Sequence, residues 1–292
     1  MVKSPVWTAL GASVRGASHE RNGQKNQDAV GVKNPAGPSD FMLLAVSDGH
    51  GSTRSFRSDR GSALAIECAL RIMGMFLRRL GPDAPLSRVR NQARAHWPYA
   101  LITAWKQAVR EDLEKNPFTF LDFAAFPEPP PQPKPGEDLA TSAYLAYGAT
   151  LITVAMTSRY IIYSQLGDGD IITAWPDGRV ARPLPRKHEF MANQTNSLCT
   201  PNAFRAFQIR VEPHRADSPA LVMLSTDGYA NCFGNDDGFF TVGADLLGYF
   251  RAHGSAFVRD NIADWLSESS RDGSGDDITV GLAVRRRALP GA

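Results

Sequence analysis

The sequence predicts an α+β fold in which two layers of β-sheet pack face to face and helices cover their outer sides. Apolar runs of strand length, bounded by Asp-Gly or Gly signals, occur on both sides of a central helical region. A second helical region precedes the last of these runs. Because sheets and amphipathic helices bury their apolar faces against one another, this order favours a sheet sandwich with helices outside it, built as one domain over residues 1–292.

The predicted strands are short, apolar runs. Their length and their bounding turn signals favour buried strands over helices. The main runs cover residues 41–46, 149–156, 160–166, 221–225 and 278–284, and a further one covers 207–211. The sequence WPDGR at 175–179 predicts a hairpin turn that leads into a strand from Val180.

Two helices are predicted between the first and second strand runs. Apolar residues repeat at helical spacing over 63–80, and Gly81 follows the last turn as a stop signal. The second pattern covers about 87–115, where Pro98 is expected to break or kink the helix. A third helical region is predicted at roughly 244–269, before the last strand.

Two segments are predicted to be loops. Residues 127–135 read PEPPPQPKP, and this density of proline favours an extended insertion loop at about 125–140. A ligand for a proline-reading partner is the alternative interpretation. Residues 183–206 are polar and irregular, which predicts a surface flap.

Composition argues against several classes of protein. The chain has 32 Lys and Arg residues against 30 Asp and Glu, so its formal net charge of +2 gives no basis for nucleic-acid or membrane binding. Only Arg285, Arg286 and Arg287 form a locally basic group. Three scattered cysteines do not fit a disulfide framework or a cysteine zinc cluster and are typical of a reducing compartment. With neither a signal-peptide pattern nor a membrane-spanning run, the sequence predicts a cytoplasmic protein.

Acidic residues occur at the ends of several predicted strands. Asp48 and Asp227 each follow one, Asp276 precedes one, and Asp28 stands just before Ala29. A buried strand that ends in a carboxylate beside a glycine holds a ligand rigidly and lets an ion approach the backbone. Asp-Gly is also the commonest tight-turn dipeptide, so a turn is the alternative for each site taken singly.

Carboxylates that meet at neighbouring strand ends repel one another unless protons or cations neutralise them. Oxygen ligands without a Cys or His cluster favour Mg²⁺ or Mn²⁺ over Zn²⁺. Two such ions about 3.5–4 Å apart activate water and neutralise phosphoryl oxygens in hydrolytic enzymes. If the carboxylates converge, the pattern therefore favours a two-metal hydrolase.

An ordered set of short motifs carries a resemblance to a known family. The motifs are NQDA at 26–29, AVSDGHG at 45–51, GAT at 148–150, LGDGD at 166–170, STDG at 225–228 and GDDITV at 275–280. Together they resemble the metal-dependent protein serine/threonine phosphatases of the 2C type. The resemblance implies a four-layer α-β-β-α sandwich of two mainly antiparallel sheets flanked by helices. It also implies a site at one end of the sandwich where Mg²⁺ or Mn²⁺ supports hydrolysis of phosphoserine and phosphothreonine.

The resemblance implies a ligand set for two ions. Asp48 matches a carboxylate that bridges both ions, and the Gly49 carbonyl matches a backbone ligand of the second ion. Asp227 and Asp276 match further carboxylates on the first ion. Asp277 stands where the family usually has Asn, and we interpret it as an orienting neighbour.

The resemblance also suggests residues that take part in the chemistry. Asp28 matches an acid that holds metal-bound water through a hydrogen bond. His50 matches the position proposed as the general acid for the departing alkoxide, with a turn histidine beside two glycines as the alternative. Asp168 and Asp170 match a loop near the site, and a structural role is the favoured interpretation for both.

The sequence departs from the family pattern at three positions. Gln27 replaces a metal-binding Glu, giving NQD in place of NED, so the second ion is expected to bind more weakly or through water. Gly23 replaces a phosphate-gripping Arg, and we expect His19, and next Arg21, to substitute for it; solvated loop residues are the alternative. Leu145 replaces an Asp that binds a third ion in some members, which argues against a third site.

These observations predict a metal-dependent protein phosphatase that acts on a phosphorylated protein and opposes a cognate kinase. The three departures motivate an alternative, a catalytically weak phosphatase-like binding or scaffold module. A two-metal hydrolase of nucleotides or small phosphoesters is a third hypothesis. The presence of Asp28, Asp48, Asp227 and Asp276 favours the enzyme, because an abandoned site has no physical reason to keep four acids.

Overall fold

Two stacked antiparallel sheets form the inner layers of the protein. The computed structural model describes residues 6–34, 41–119, 122, 139–186 and 196–290. Its strands are β1 (Trp7–Val14), β2 (Ala29–Lys33), β3 (Phe41–Ser47), β4 (Leu151–Thr157), β5 (Tyr160–Leu166), β6 (Asp170–Ala174), β7 (Val180–Ala181), β8 (Gln208–Pro213), β9 (Leu221–Ser225) and β10 (Ile278–Arg285). One sheet has the order β1-β10-β9-β6-β7 and the other has the order β2-β3-β4-β5-β8. All the neighbouring strands pair antiparallel.

Helices cover the outer face of each sheet. They are α1 (Ala17–Arg21), α2 (Ser58–Leu80), α3 (Leu86–Lys115), α4 (Leu139–Ala146), α5 (Asp227–Ala230) and α6 (Asp236–Asp272). Side chains of α2 and α3 share a buried core with the β2-to-β8 sheet, and side chains of α6 share another with the β1-to-β7 sheet. A third core fills the space between the sheets. The predicted four-layer α-β-β-α sandwich is therefore confirmed.

The predicted strands agree closely with the observed ones. The runs predicted at 160–166 and 221–225 coincide with β5 and β9, and the others differ by one or two residues at their ends. The predicted hairpin turn is present between β6 and β7, where the Gly178 N–H donates to the Trp175 carbonyl at 3.1 Å. Gly178 has φ 88°, a conformation that favours glycine. Strand β1 and helices α1 and α4 were not predicted, because their apolar patterns are short or weak.

Pro98 does not end the second helix, so the break that was one of the two predicted outcomes is not found. Helix α3 runs through it from Leu86 to Lys115. Buried tryptophans hold the helix on both sides of the proline: Trp97 Nε1 donates to Ser164 Oγ at 3.1 Å and Trp105 Nε1 donates to the Gly61 carbonyl at 3.0 Å. Tertiary packing of this face outweighs the one backbone hydrogen bond that the proline removes.

The helical region predicted at 244–269 is longer in the structure. Helix α6 begins at Asp236, where the Asn235 side chain accepts a hydrogen bond from the Gly238 N–H at 2.9 Å. Gly254 interrupts it with φ 82°. The glycines and acidic residues after Asn235 resemble a turn in sequence, which explains why the prediction began too late.

Several expectations fall outside the described residues. The proline-rich insertion predicted at about 125–140 lies mostly within 123–138, and the centre of the predicted flap lies at 187–195. The helices among the described residues do not combine the length and the hydrophobicity that a membrane span requires.

Strand termini bring the predicted site residues together at one end of the sandwich. Strands β3 and β9 end there, and because their neighbours run antiparallel, β2 and β10 begin there. The turn between β5 and β6 lies at the same end, since β5 pairs antiparallel with β4 and β6 pairs antiparallel with β9. Residues distant in sequence are thereby placed side by side.

Candidate metal centre

Three carboxylates meet at this end of the sandwich. Asp48 follows β3, Asp168 lies in the turn between β5 and β6, and Asp227 follows β9. One oxygen of each lies within 4.8 Å of one oxygen of each of the others. The cluster therefore joins both sheets.

The backbone around Asp48 is fixed by its neighbours. The Asp48 N–H donates to Thr150 Oγ1 at 3.1 Å, and the Thr150 N–H donates to the Asp48 carbonyl at 2.8 Å. Gly49 has no room for a side chain, because a Cβ there would lie 2.5 Å from the Gln27 carbonyl oxygen and 2.8 Å from that of Ser58. Glycine is thus required for the chain to pass between these segments.

Asp28 and Asp227 approach the cluster from adjoining elements. Thr226 Oγ1 donates to Asp28 Oδ2 at 2.8 Å, which ties the start of β2 to the end of β9. Asp227 begins the short helix α5, and its Oδ2 accepts a hydrogen bond from Asn231 Nδ2 at 3.2 Å. Both carboxylates are half-buried.

Asp276 and Asp277 are adjacent but have different surroundings. The Asp276 side chain is 49% exposed, and it is not among the three carboxylates within 4.8 Å of one another. Its charge nevertheless acts on Asp28 and Asp227. Asp277 is buried, and its two oxygens accept hydrogen bonds from the N–H groups of Gly16 and Gln27, each at 2.7 Å.

Burial and mutual repulsion raise the pKa values of Asp28, Asp48 and Asp227. Burial raises the pKa of Asp28 to about 8, and the charges of neighbouring acids add to this effect. Burial also raises the pKa of Asp48 well above its ordinary value, and the charges of Asp28 and Asp227 raise it further. The pKa of Asp227 is raised by burial and then by the charge of Asp168.

The donor set fits divalent cations. The clustered oxygens of Asp48 and Asp227 lie within 4.8 Å of each other, and the raised pKa values of both groups show that their negative charges need compensation. Gln27 Oε1, an acceptor, is buried without a hydrogen-bond partner among the described residues. Hard oxygen donors with an uncompensated negative charge are the ligands that Mg²⁺ and Mn²⁺ prefer.

His50 lies beside the cluster. Burial lowers the pKa of His50, and the nearby charge of Asp168 acts in the opposite direction. A Cβ at Gly148 would lie 2.6 Å from His50 Cδ2, so glycine leaves room for the imidazole. An acid next to a half-buried imidazole favours its protonated form when the acid is ionised.

His19 faces the acidic end, whereas Arg21 is exposed. His19 Nδ1 lies 2.9 Å from Asp277 Oδ1 without forming a hydrogen bond to it, and His19 Nε2 lies 3.8 Å from Asp276 Oδ1. Both histidine contacts follow from the position of α1 directly after β1. Gly23, where the family arginine is missing, has φ 67° and open space around its Cα.

The two acids of LGDGD have different environments. Asp168 belongs to the carboxylate cluster, although the sequence favoured a structural role for it. Asp170 is 2% exposed, and its oxygens pair with Arg182 and with Arg186, the latter at 2.7 Å. Asp168 lies in the turn, where the alternation of a strand does not direct a side chain into the core. This position is the sequence signal that separates Asp168 from Asp170, which begins strand β6.

The metal-free protein is expected to lose stability as pH rises toward 8 because of Asp28. The unfolded state releases this proton near the ordinary value of 3.8, whereas the folded state holds it up to about 8. The stabilisation is therefore complete below the unfolded pKa and is lost as pH rises through the folded pKa. In EDTA, the unfolding midpoint of the wild type relative to Asp28→Asn is expected to fall by about 3 °C or more between pH 5 and 8.

Saturating Mg²⁺ at pH 8 is expected to restore the wild-type midpoint, because the cation replaces the proton. A difference between the two proteins that does not change with pH would show that Asp28 is already ionised in the folded, metal-free state.

Comparisons with known proteins agree with the fold and the motifs. A family model described as Protein phosphatase 2C matches residues 15–267. No curated protein matches the chain. Three solved structures show the breadth of the similarity, each at low identity.

The serine/threonine phosphatase Stp1 from Staphylococcus aureus is 13% identical, with 97% of each chain covered and a TM-score of 0.56. The catalytic domain of the serine/threonine protein phosphatase PstP in complex with two manganese ions is 18% identical, with 96% of this chain and 98% of that chain covered and a TM-score of 0.54. RsbX in complex with magnesium is 15% identical, with 97% of each chain covered and a TM-score of 0.50. At these identities the structures establish a shared fold.

Proposed function

The chain belongs to the protein phosphatase 2C family and is a metal-dependent protein serine/threonine phosphatase, and we propose that the carboxylate cluster is its active site. The observation that carries this proposal is the meeting of Asp48, Asp168 and Asp227 from three segments of both sheets. The raised pKa values of Asp48 and Asp227 show that the negative charge gathered here favours the binding of a proton or a cation. Manganese and magnesium, which two structures of similar fold contain, suit these oxygen donors.

We propose that two ions are held by the ligands the family pattern implies. Asp48 would contribute to both, the Gly49 carbonyl would serve the second, and Asp227 and Asp276 would serve the first. Asp168 lies within reach of Asp48 and Asp227, so it adds a further carboxylate to the predicted set. When bound, such ions activate water for attack on phosphorus and neutralise the phosphoryl oxygens.

Residues around the cluster position the reactants and move protons. Asp28, fixed by Thr226, accepts a hydrogen bond from the attacking water and holds it in line with phosphorus. His50 donates a proton to the departing serine or threonine alkoxide. If this proton transfer accompanies cleavage of the P–O bond, the pKa of His50 need not be close to that of an alcohol. His19 donates a hydrogen bond to the phosphate, and Arg21 lies at the end of the same helix to contact a larger substrate.

A comparison of substrates tests the proposed function. A phosphothreonine peptide, p-nitrophenyl phosphate and a nucleotide are incubated with the protein, with and without Mn²⁺. Turnover of the peptide that depends on Mn²⁺ is expected. Turnover of the nucleotide alone would indicate a small-phosphoester hydrolase, and no turnover of any substrate would favour a binding or scaffold module.

Gln27→Glu is expected to tighten binding of the second ion. The Gln27 amide oxygen is buried without a partner, and a carboxylate at the same place adds one negative charge to the site. The Mn²⁺ concentration for half-maximal activity is expected to fall about 10-fold, and calorimetry is expected to show tighter binding of one ion. Gln24→Glu, an exposed neighbour in the same loop, controls for the added charge. Equal effects of the two substitutions would place Gln27 outside the ligand set.

Three wider expectations accompany the site as proposals. The chain forms one phosphatase domain, since its motifs extend from residue 26 to residue 280. A cognate kinase phosphorylates the protein substrate. A cytoplasmic location rests on the low cysteine content.

A further inference from the structure

The end of the sandwich opposite the carboxylate cluster carries the locally basic group of the sequence. Arg285 is the last residue of β10 and is only 2% exposed, whereas Arg286 and Arg287 are exposed. The phosphatase chemistry uses none of these arginines. A buried guanidinium is costly unless its charge and its donors are satisfied, so Arg285 calls for an explanation.

The Arg285 guanidinium has no counterion among the described residues. Its Nη1 donates to the Ala216 carbonyl at 3.2 Å and its Nη2 donates to the Arg215 carbonyl at 2.6 Å, while its buried Nε lacks an acceptor. No carboxylate of the described residues lies within ion-pair distance of the Arg285 guanidinium. Burial, followed by the charge of Arg287, lowers the pKa of Arg285 to about 10. The Asp217 charge that opposes this effect is on an exposed side chain.

Two more buried donors without partners face the same layer. Trp7 lies directly opposite Arg285 in the β1–β10 register, and the Arg285 Cζ is 5.5 Å from the centroid of the Trp7 ring. Tyr163, on β5 of the facing sheet, belongs to the same buried core between the sheets as Trp7. Neither Trp7 Nε1 nor the Tyr163 hydroxyl has a hydrogen-bond partner among the described residues, and both are buried.

We propose that Arg285 Nε, Trp7 Nε1 and the Tyr163 hydroxyl bind one small monovalent anion, of the size of chloride, between the two sheets. Arginine and the indole nitrogen are donors only, so their ligand accepts hydrogen bonds. A water molecule accepts from these donors but leaves the guanidinium charge uncompensated in a buried site. An anion both accepts these hydrogen bonds and compensates the guanidinium charge. It would neutralise the basic end of the sandwich as divalent cations would neutralise the acidic end.

Anion-dependent unfolding of the full-length, metal-free protein tests this proposal. Chloride replaces gluconate at constant ionic strength, since gluconate is too large for a buried site between packed sheets. The unfolding midpoint is expected to rise with chloride and to saturate, because the ligand binds only the folded state. Arg285→Met is expected to abolish this rise, and Arg286→Met, at the exposed neighbour, is expected to leave it intact.

Tyr163→Phe keeps the test decisive if Arg285→Met does not fold. Removing one hydroxyl donor is expected to weaken the apparent chloride affinity about 5-fold, the effect of one hydrogen bond. Crystals grown in bromide are expected to show an anomalous peak next to Arg285 Nε and Trp7 Nε1. A water in place of that peak, or an identical chloride response in Tyr163→Phe and the wild type, would overturn the proposal.

Discussion

Asp48→Asn is expected to lower kcat/KM on a phosphothreonine peptide by about 10³-fold or more and at the same time to raise the stability of the metal-free protein. Activity falls because the central carboxylate of the cluster is lost. Stability rises because partial burial, and then repulsion from Asp28 and Asp227, makes an ionised Asp48 unfavourable in the folded state when no cation is present. Steady-state kinetics with Mn²⁺ and thermal unfolding in EDTA measure the two effects.

Asp170→Asn is the matched control for this experiment. Asp170 is only 2% exposed, but Arg182 and Arg186 neutralise its charge. Its removal takes away the buried one of two counterions, because Arg182 and Arg186 also pair with Asp236, and it is expected to destabilise the protein by about 2 kcal/mol. The same chemical change thus has opposite effects on stability at the two positions. If Asp48→Asn were destabilising in EDTA to a similar extent, Asp48 would be a compensated structural acid like Asp170.

His50→Gln is expected to lower kcat on a phosphothreonine peptide by about 10²-fold while changing kcat on p-nitrophenyl phosphate much less. The threonine alkoxide is a poor leaving group that needs a proton, whereas p-nitrophenolate leaves without one. His50 lies beside the cluster with its pKa lowered by burial, so the substitution removes a proton donor while keeping a polar side chain. Kinetics on the two substrates at saturating Mn²⁺ measure the difference.

His214→Gln provides the control for His50. His214 is also half-buried, but it contacts Trp7 and the Thr157 carbonyl at the opposite end of the sandwich. It is expected to leave kcat unchanged on both substrates. Equal losses on the two substrates in His50→Gln would exclude a role as general acid and would indicate that His50 supports the shape of the site.

Strand lengths and helix positions were predictable because they depend on short-range patterns. The alternation of apolar runs with glycine-bounded turns located β3, β5, β9 and β10 within a residue or two. Pro98 shows the limit of such reasoning, because its penalty is local, whereas the packing of Trp97 and Trp105 that outweighs it involves distant residues. Elements held mainly by packing, such as β1, gave little signal.

The structure brings together some of the predicted site residues and leaves others apart. Motif order pointed to Asp48 and Asp227, which the fold brings together, and to Asp276, which lies half-exposed outside that group of three. Asp168 belongs to the group, but Asp-Gly in LGDGD also suits an ordinary turn. The turn position separates Asp168 from Asp170, but the sequence does not show that Asp168 meets the other acids and that Asp170 meets two arginines from later in the chain.

By itself the sequence determined the elements, their order and the oxygen-rich chemistry of the motifs, because hydrophobic periodicity and turn chemistry act over a few residues. Only the tertiary structure decided which acids are neighbours, that Gln27 Oε1 is buried without a partner, and that Arg285 lacks a counterion. These properties depend on the register within each sheet and on the stacking of one sheet over the other. Both are set by contacts between residues more than a hundred positions apart, such as Thr226 with Asp28.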